Sequence, residues 1–200
     1  MTVKTESFNW CRNKRIGFAL TGSFCTTDIA VECMAELASS GAILTPILSD
    51  NMNATDTKFG TCASLKEKIA ALTPTPIIST IVQAEPIGPG KLLDALVILP
   101  ATGNTIAKIA AGIADTAVTM AAKSHLRNGR PLILAVSSND ALGLGAKNIG
   151  LLLAARNIYF VPFGQDNAIA KPRSLVFKKE FLLPAVEAAL QGEQFQPLLA

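Results

Sequence analysis

Four small polar residues, Thr102, Gly103, Asn104 and Thr105, have the types and the spacing to hold an anionic ligand. They follow an apolar run over residues 95–99 and precede a segment whose apolar side chains recur at helical spacing. Asn104 or Thr105 can cap that helix, and Gly103 can adopt backbone angles that are closed to other residues. The first turn of a helix has unpaired N–H groups and the positive end of the helix dipole. We therefore expect this turn to hold a phosphate or the polar edge of a cofactor.

Two elements must position this turn: a buried strand before it and an amphipathic helix after it. We expect the strand to end at Pro100, because proline has no N–H to donate to a sheet. Ile106, Ile109 and Ile113 recur at helical spacing and predict the buried face of the helix.

Apolar runs of strand length alternate with longer amphipathic segments throughout the chain. Strands are expected over 15–20, 42–48, 95–99, 131–136 and 158–161, and helices over 26–40, 63–72, 105–113, 117–126, 146–155 and 174–191. The segments 49–59, 73–90 and 164–173 are polar or rich in proline and predict loops. The alternation predicts an α/β fold: a single three-layer Rossmann-like (flavodoxin-like) domain over residues 14–200 with a mainly parallel sheet. Residues 1–13 are interpreted as an N-terminal tail.

Small polar residues follow four of the predicted strands. The candidate cofactor-binding residues at these turns are Thr21, Gly22, Ser23, Ser49, Ala101, Thr102, Gly103, Asn104, Thr105, Ser137, Ser138 and Asn139. Turns favour such residues in any protein, but four of them at the edge where α/β proteins bind ligands favour a ligand site. The first turn, GFALTGS, is neither a GxGxxG fingerprint nor a phosphate-binding loop ending in GK[ST]. A mononucleotide such as FMN is therefore the favoured cofactor.

Composition argues against several other classes of protein. Half of the 200 residues are hydrophobic and 16% are charged, as in globular chains. The formal net charge of +3 is too small to favour nucleic-acid binding. No apolar run reaches the ~18 residues that a membrane span needs, and the first fifteen residues lack the apolar region of a secretory signal.

The cysteines also bear on metal binding and on the compartment. The four cysteines show no CxxC spacing and the chain has one histidine, so we expect no zinc or other metal site. Free thiols are typical of a reducing cytoplasm, which is the expected location.

The residues that follow the third predicted strand resemble a known family. The run PATGNTIAKIAAGIADTAVTMAAKSHLRNGRPLILAVSSNDAL is similar to the FMN-dependent flavoproteins, which include peptidyl-cysteine and phosphopantothenoylcysteine decarboxylases and flavin prenyltransferases. Residues 100–105 correspond to the Pro-x-Ser-x-Asn-Thr turn of that family, and LTGS at 20–23 resembles its first phosphate-side loop. Ser49 corresponds to its residue after the second strand. The resemblance implies FMN as cofactor and a homo-oligomer, a trimer or a dodecamer, with flavin sites where its copies meet.

Further segments resemble one branch of that family, the B subunits of the dipicolinate synthases of endospore-forming bacteria. They are IGFALTGSFCT, TDTKFG, AEPIGPGKLLDALVILPATGNT and NIYFVPFGQD, and the resemblance extends over residues 14–199. It implies a partner, the A subunit of dipicolinate synthase, on which NAD(P) is expected, and a small dicarboxylate substrate. Together the two proteins would oxidise dihydrodipicolinate to pyridine-2,6-dicarboxylate in the mother cell of a sporulating bacterium.

Two departures from the family bear on the chemistry. Its decarboxylases use a histidine after the second strand, and residues 49–62 contain none. The single histidine, His125, falls late in a predicted helix and is more typical of a packing or surface residue. The prenyltransferases carry a Pro-Arg-Glu loop after the strand, where this chain has Val136-Ser137-Ser138-Asn139, so their arginine is missing.

A dicarboxylate substrate calls for at least one cationic side chain. Lys58, in the loop after the second strand, is the catalytic candidate, and Lys108 is the alternative. Two other functions stay open: a non-catalytic assembly subunit that has lost the flavin, and an FMN-dependent decarboxylase or prenyltransferase relative.

Overall fold

Seven strands and eight α-helices are described in residues 9–200, the part of the chain that the computed structural model describes. The strands are β1 (Arg15–Leu20), β2 (Ile43–Leu48), β3 (Ala95–Ala101), β4 (Leu132–Ser138), β5 (Ile158–Phe160), β6 (Phe163–Asn167) and β7 (Lys171–Phe177). The helices are α1 (Thr27–Ser39), α2 (Asp50–Ala54), α3 (Cys62–Leu72), α4 (Ile81–Ala84), α5 (Gly103–Ala110), α6 (Ala117–Leu126), α7 (Ala146–Leu153) and α8 (Leu182–Leu190).

One sheet has the strand order β2-β1-β3-β4-β7-β6, and β5 also pairs with β4. Strands β1 to β5 pair in parallel, whereas β7 is antiparallel to β4 and β6 is antiparallel to β7. Among the parallel strands, which lie in the order β2-β1-β3-β4-β5, the sequence of strands runs one way from β1 to β2 and the other way from β3 to β5. The chain therefore leaves these two strands toward opposite sides, and a crevice opens at their carboxyl ends.

Helices cover both faces of the sheet, and alternate strand residues fill two hydrophobic cores. Val97 of β3 is buried with side chains of α1, α3 and α8, while its neighbour Ile98 is buried with side chains of α5, α6 and α7. All seven residues of β3 are buried, as its uninterrupted apolar sequence requires. The prediction of a three-layer, Rossmann-like α/β fold with a mainly parallel sheet is confirmed.

An ionic cluster lies at the amino ends of the central strands, at the edge opposite the crevice. The carboxylate of Asp94 accepts hydrogen bonds from the backbone N–H of Arg15 at 2.9 Å and from its guanidinium at 2.8 Å. The guanidinium of Arg130 is 3.2 Å from the same carboxylate. These hydrogen bonds hold the pKa of Asp94 below its usual range. The cluster holds the start of β1 beside the start of β3.

Strand β3 continues past Pro100, where we expected it to end. The ladder between β3 and β4 changes register between Ile98 and Ala101, so Pro100 lies in an irregular part of the strand. Such positions tolerate a residue without an N–H.

The prediction of a C-terminal helix over residues 174–191 is wrong for the first part of that segment. Strand β7 occupies that part and forms an antiparallel hairpin with β6. Ser137 pairs with Val176 and Ser138 pairs with Leu175, which continues the sheet beyond the end of β5. The local pattern of 174–191 fits either a strand or a helix, and the pairing with β4 decides for the strand.

Two short helices lie in segments that we expected to be loops. Helix α2 follows Ser49, and α4 begins with a capping box. In that box the Thr80 hydroxyl accepts from the N–H of Gln83, and the Gln83 side chain accepts from the N–H of Thr80, each at 3.2 Å. Helices of four or five residues are too short for hydrophobic periodicity to detect.

Part of the segment interpreted as an N-terminal tail packs onto the domain. Asn9–Cys11 form one turn of 3₁₀ helix, and Cys11 is fully buried. The N–H of Asn13 donates to the carbonyl of Gly41 at 2.9 Å. Residues 1–8 of that segment lie outside the described residues. Residues 9–13 therefore belong to the packed structure.

Candidate functional site

Thr21 joins the ends of β1 and β3 across the crevice. Its hydroxyl donates to the carbonyl of Pro100 at 2.6 Å and accepts from the N–H of Thr102 at 3.2 Å. Thr21 is 1% exposed, so neither bond competes with water. The two turns that follow β1 and β3 are thereby held at a fixed distance from each other.

Thr102 is the N-cap of α5, a role that we expected of Asn104 or Thr105. The Thr102 hydroxyl accepts from the N–H of Thr105 at 3.4 Å, which satisfies one of the free donors of the first turn. The N–H groups of Gly103 and Asn104 have no acceptor within the helix, since the first residues of a helix lack one. A strand exit therefore leads directly into a helix N-terminus, as the sequence predicts.

Gly103 is required by a close approach rather than by unusual backbone angles. It is absent from the glycines with positive φ in the described chain. A Cβ atom built at Gly103 would lie 2.8 Å from Oγ of Ser138. The glycine therefore lets the turn after β3 lie directly against the end of β4.

The β1 and β4 exits also meet. The hydroxyls of Ser23 and Ser137 are hydrogen bonded at 2.9 Å, and Ser138 accepts from the N–H of Asp140 at 3.3 Å. Three of the four predicted polar turns are therefore brought together at one edge of the sheet.

These turns form the base of an open cleft of about 1030 Å³. Eight of the residues that we predicted from the sequence line it: Gly22, Ser23, Lys58, Thr102, Gly103, Ser137, Ser138 and Asn139. The other five predicted residues, Thr21, Ser49, Ala101, Asn104 and Thr105, are not part of its lining. Thr21 and Thr105 act behind the surface of the cleft, through the bonds just described.

Ser49 stands apart from the cleft. Its hydroxyl is buried and has no hydrogen-bond partner among residues 9–200. Its backbone N–H donates to the carbonyl of Leu20 at 3.0 Å, which ties the second polar turn to the end of β1. Asn51 of the same turn lies 3.6 Å from a Cβ built at Gly22.

One wall of the cleft comes from residues that sequence reasoning missed. Asp166, Lys171 and residues 174–180 belong to or follow the β6–β7 hairpin. Phe24, Cys25 and Phe59 also line the cleft. The expected helix over 174–191 concealed this wall. The signal that was available is the β-compatible run Leu175 to Phe177 after the turn-forming residues 166–170.

Two of the four lysines in the lining are neutralised by carboxylates. The ammonium of Lys171 is 2.6 Å from Asp166, and that of Lys179 is 2.9 Å from Glu32 on α1. Hydrogen bonding to these carboxylates raises the pKa of both lysines. The ammonium of Lys58 lies 5.2 Å from the centre of the Phe59 ring, within the range of a cation–π contact.

Two other polar residues weighed in the sequence lie away from the cleft lining. Lys108 pairs with Asp115 at 2.8 Å. His125 is 1% exposed, and its Nε2 donates to the carbonyl of Pro131 at 2.9 Å. Burial lowers the pKa of His125 to about 4, so the imidazole is neutral at pH 7. His125 is therefore a packing residue.

Two further features of residues 9–200 concern metal ligands and membrane-spanning helices. Among residues 9–200, no three His, Cys, Asp or Glu side chains are grouped closely enough to hold a metal ion. No helix in the same range has the length and apolar character needed to cross a membrane.

Comparison with known proteins adds to this geometry. The model of the family described as Flavoprotein matches residues 5–159. The chain belongs to the flavoprotein family. The resemblance that the turn after β3 carries is thereby confirmed.

Within the flavoprotein family, two similar proteins carry the same name. This flavoprotein is 45% identical over 188 residues to the B subunit of dipicolinate synthase of Bacillus subtilis (strain 168), which covers 94% of each chain. The crystal structure of the B subunit of dipicolinate synthase from Bacillus halodurans C has a TM-score of 0.88 at 47% identity, covering 94% of this chain and 97% of that one. The resemblance to this branch of the family is also confirmed.

A more distant structure shares the fold alone. The FMN-dependent cysteine decarboxylase SpaF has a TM-score of 0.66 at 21% identity, over 90% of this chain and 97% of that one.

Proposed function

We propose that this chain is the FMN-binding B subunit of a dipicolinate synthase. Acting with the A subunit of that enzyme, it oxidises dihydrodipicolinate to pyridine-2,6-dicarboxylate in the cytoplasm of a sporulating mother cell. The observation that carries the proposal is the hydroxyl-lined cleft at the ends of β1, β3 and β4, in a chain similar over nearly its whole length to the B subunits of dipicolinate synthases.

The residues of the cleft fit FMN. The N-terminus of α5, with its free N–H groups at Gly103 and Asn104, suits a phosphate. Gly103 leaves a space that a Cβ atom would fill, 2.8 Å from Oγ of Ser138. The hydroxyls of Ser23, Ser137 and Ser138 line the same base, and the cleft volume of about 1030 Å³ is at the upper end of the usual range for cofactor sites.

The reaction removes a hydride equivalent and a proton from a dihydropyridine ring. A bound FMN would supply the hydride acceptor. The chain itself binds and orients the substrate, and Lys58 at the rim is suited to attract a carboxylate. Aromatisation of the ring favours the products, which is consistent with a lining that contains no histidine. NAD(P) is assigned to the A subunit.

The second candidate is a non-catalytic assembly subunit. The same lining favours this function, because it offers no carboxylate held in place as a catalytic base. Its two carboxylates are Asp166, which is bound by Lys171, and the exposed Glu180. A decarboxylase or prenyltransferase is less well supported, because the histidine and the arginine of those relatives are missing from the corresponding loops.

Assays of the two subunits, separately and mixed, with and without FMN and NAD(P), test the proposal. We expect dipicolinate only from the mixture with FMN, and flavin absorbance in the purified chain. Full-rate synthesis by the isolated A subunit would make this chain non-catalytic. A colourless protein that does not bind added FMN would refute the cofactor assignment, and the mixing result would then decide whether the chain belongs to the synthase.

We also propose that the chain forms a homo-oligomer, a trimer or a dodecamer. Three large apolar side chains near α7 support this: Leu142, Leu144 and Leu151 are 48%, 83% and 61% exposed. Large exposed apolar side chains within ten positions of one another in the sequence favour a protein contact in this region. Light scattering that gives a particle of 21 kDa, the mass of one chain, would refute it.

A further inference from the structure

The strand β7 and its extension form one side of the cleft. Ser174, Val176 and Lys178 line it, and so do Leu175 and Phe177 between them. Val176 pairs with Ser137 of β4, which also lines the cleft. The hydroxyl of Ser137 in turn bonds Ser23 at 2.9 Å. This side of the cleft therefore joins its hydroxyl-lined base.

Lys178 is held toward the cleft by its surroundings. Its backbone N–H donates to the carbonyl of Pro162 at 2.8 Å, which fixes the end of β7. Its Cε lies 3.5 Å from a Cβ atom built at Gly164, which is an ordinary contact distance, whereas the carbonyl of Ala200 would collide with that Cβ. The glycine is therefore required by the approach of Ala200, and the lysine stem passes beside it.

Lys178 is the half-buried lysine of the lining, and its ammonium has no carboxylate or hydrogen-bond partner among residues 9–200. A partly desolvated cation gains from an anionic partner. Lys171 and Lys179 already have theirs, whereas Lys58 and Lys178 do not. Glu180 is exposed at the rim, where solvent and salt screen its charge. Two ammonium groups without carboxylates match the charge of a dicarboxylate.

Ser174 adds a hydroxyl to this side of the cleft. The residue lines the cleft, and within the described residues its hydroxyl has no hydrogen-bond partner. The hydroxyl oxygen is not among the fully buried atoms that lack a partner, so it is open to the cleft and available to a ligand. Val176, between Ser174 and Lys178, adds an apolar side chain that can pack against a planar ring.

We propose that this side of the cleft binds the substrate. Lys178 binds one of its carboxylates, Ser174 hydrogen-bonds its polar edge, and Val176 packs against its ring. The proposal rests on the proposed function and adds the residues that select a planar ring with a carboxylate. FMN is expected at the other side of the cleft, at the ends of β1 and β3.

Calorimetric titration of the FMN-saturated chain with pyridine-2,6-dicarboxylate tests this assignment. A charge-assisted hydrogen bond is lost in Lys178→Met, so we expect the Kd to rise about tenfold to hundredfold. Lys178→Arg should recover part of the affinity. Ser174→Ala, which loses a neutral hydrogen bond, should raise the Kd about threefold to tenfold. Lys179→Met is the matched control: it removes the same charge from the same rim, but its ammonium is already bound to Glu32.

A second measurement separates the roles of the two sides of the cleft. The Kd for FMN, followed by flavin fluorescence, should stay within about twofold of the unmodified chain in every variant, since FMN is expected at the far side. A Lys178→Met variant that loses FMN affinity as strongly as dicarboxylate affinity would overturn the assignment. So would an equal loss of dicarboxylate affinity in Lys178→Met and Lys179→Met, which would indicate only a diffuse positive charge.

Failure of this inference and failure of the proposed function give different results. If dicarboxylate binds Lys178→Met as well as the unmodified chain, while the two subunits still make dipicolinate with FMN, only the inference is wrong. If the unmodified chain binds FMN and no dicarboxylate, the inference is wrong as well. Absence of FMN binding and of any contribution to dipicolinate synthesis would instead refute the proposed function.

Discussion

Replacement of Thr21 by valine is the sharpest test of how the cleft is built. Valine has nearly the same shape, so it fills the same fully buried space. It removes the hydroxyl that donates to Pro100 at 2.6 Å and accepts from Thr102 at 3.2 Å. The Pro100 carbonyl and the Thr102 N–H then lose their partners inside the protein.

The magnitude follows from these two groups. An unsatisfied buried backbone group costs about 1–3 kcal/mol, and the added methyl of valine recovers about 0.8 kcal/mol. Two such groups together cost about 2–6 kcal/mol, so we expect a net fall of about 1–5 kcal/mol in the free energy of unfolding. At about 3 °C per kcal/mol for a chain of this size, Tm falls by about 3–15 °C. The Kd for FMN should also rise, because Thr102 caps α5.

Differential scanning calorimetry and fluorescence titration with FMN measure the two effects. Thr21→Ser is the control that keeps the hydroxyl and loses a methyl group, at a cost of about 1 kcal/mol. Thr57→Val is a control for hydroxyl loss in an exposed loop. If Thr21→Val is as stable as Thr21→Ser and binds FMN equally well, the reasoning that this hydroxyl holds the two turns together is wrong.

Three further substitutions probe the rest of the fold and the cleft. Asp94→Asn, which breaks the ionic cluster, should lower the free energy of unfolding by about 1–3 kcal/mol at pH 7. Because the pKa of Asp94 is lowered in the fold, its contribution to stability is present above the usual aspartate pKa and is lost as the pH falls through the lowered pKa. Urea unfolding at pH 3 should therefore show a smaller difference in stability between Asp94→Asn and the unmodified chain. The pKa of His125 is lowered to about 4, so between that pH and about 6.5 the unfolded chain binds more protons than the folded chain, and the free energy of unfolding should fall as the pH falls through this range. In urea unfolding, His125→Gln should show a weaker dependence of stability on pH. An equal dependence would exclude the histidine as its source. Gly103→Ala places a methyl group 2.8 Å from Oγ of Ser138 and should raise the Kd for FMN about tenfold with little change in Tm. In a Ser138→Ala background the same substitution should raise the Kd much less, relative to Ser138→Ala alone, and an equal rise in both backgrounds would show that the clash is elsewhere.

The order of strands and helices could be predicted because it follows from local patterns. Residues 95–99 are uniformly apolar, as a central parallel strand must be, and Ile106 and Ile109 repeat at helical spacing after them. The family resemblance could be recognised for a similar reason, since the turn at residues 100–105 is continuous in sequence.

The candidate site was only partly accessible to this reasoning. The turns after β1, β3 and β4 were predicted, and they meet because parallel strands end at the same edge. The wall formed by β7 was not, because Leu175 and Phe177 pack in different cores and the segment has no local signature that excludes a helix. Its conformation depends on the pairing of Val176 with Ser137, 39 positions earlier in the sequence.

The sequence alone thus determines the α/β class, the flavoprotein resemblance and the set of small polar turns, since each depends on residues adjacent in the chain. Tertiary structure decides which of those residues face a ligand. Thr21 follows β1 and Ser137 lies near the end of β4, and their side chains are similar, yet Thr21 bonds backbone groups behind the cleft while Ser137 lines it. That difference, like the pairing of Val176 with Gly164, comes from strand register and from contacts across more than ten residues, for which the local sequence carries no periodic signal.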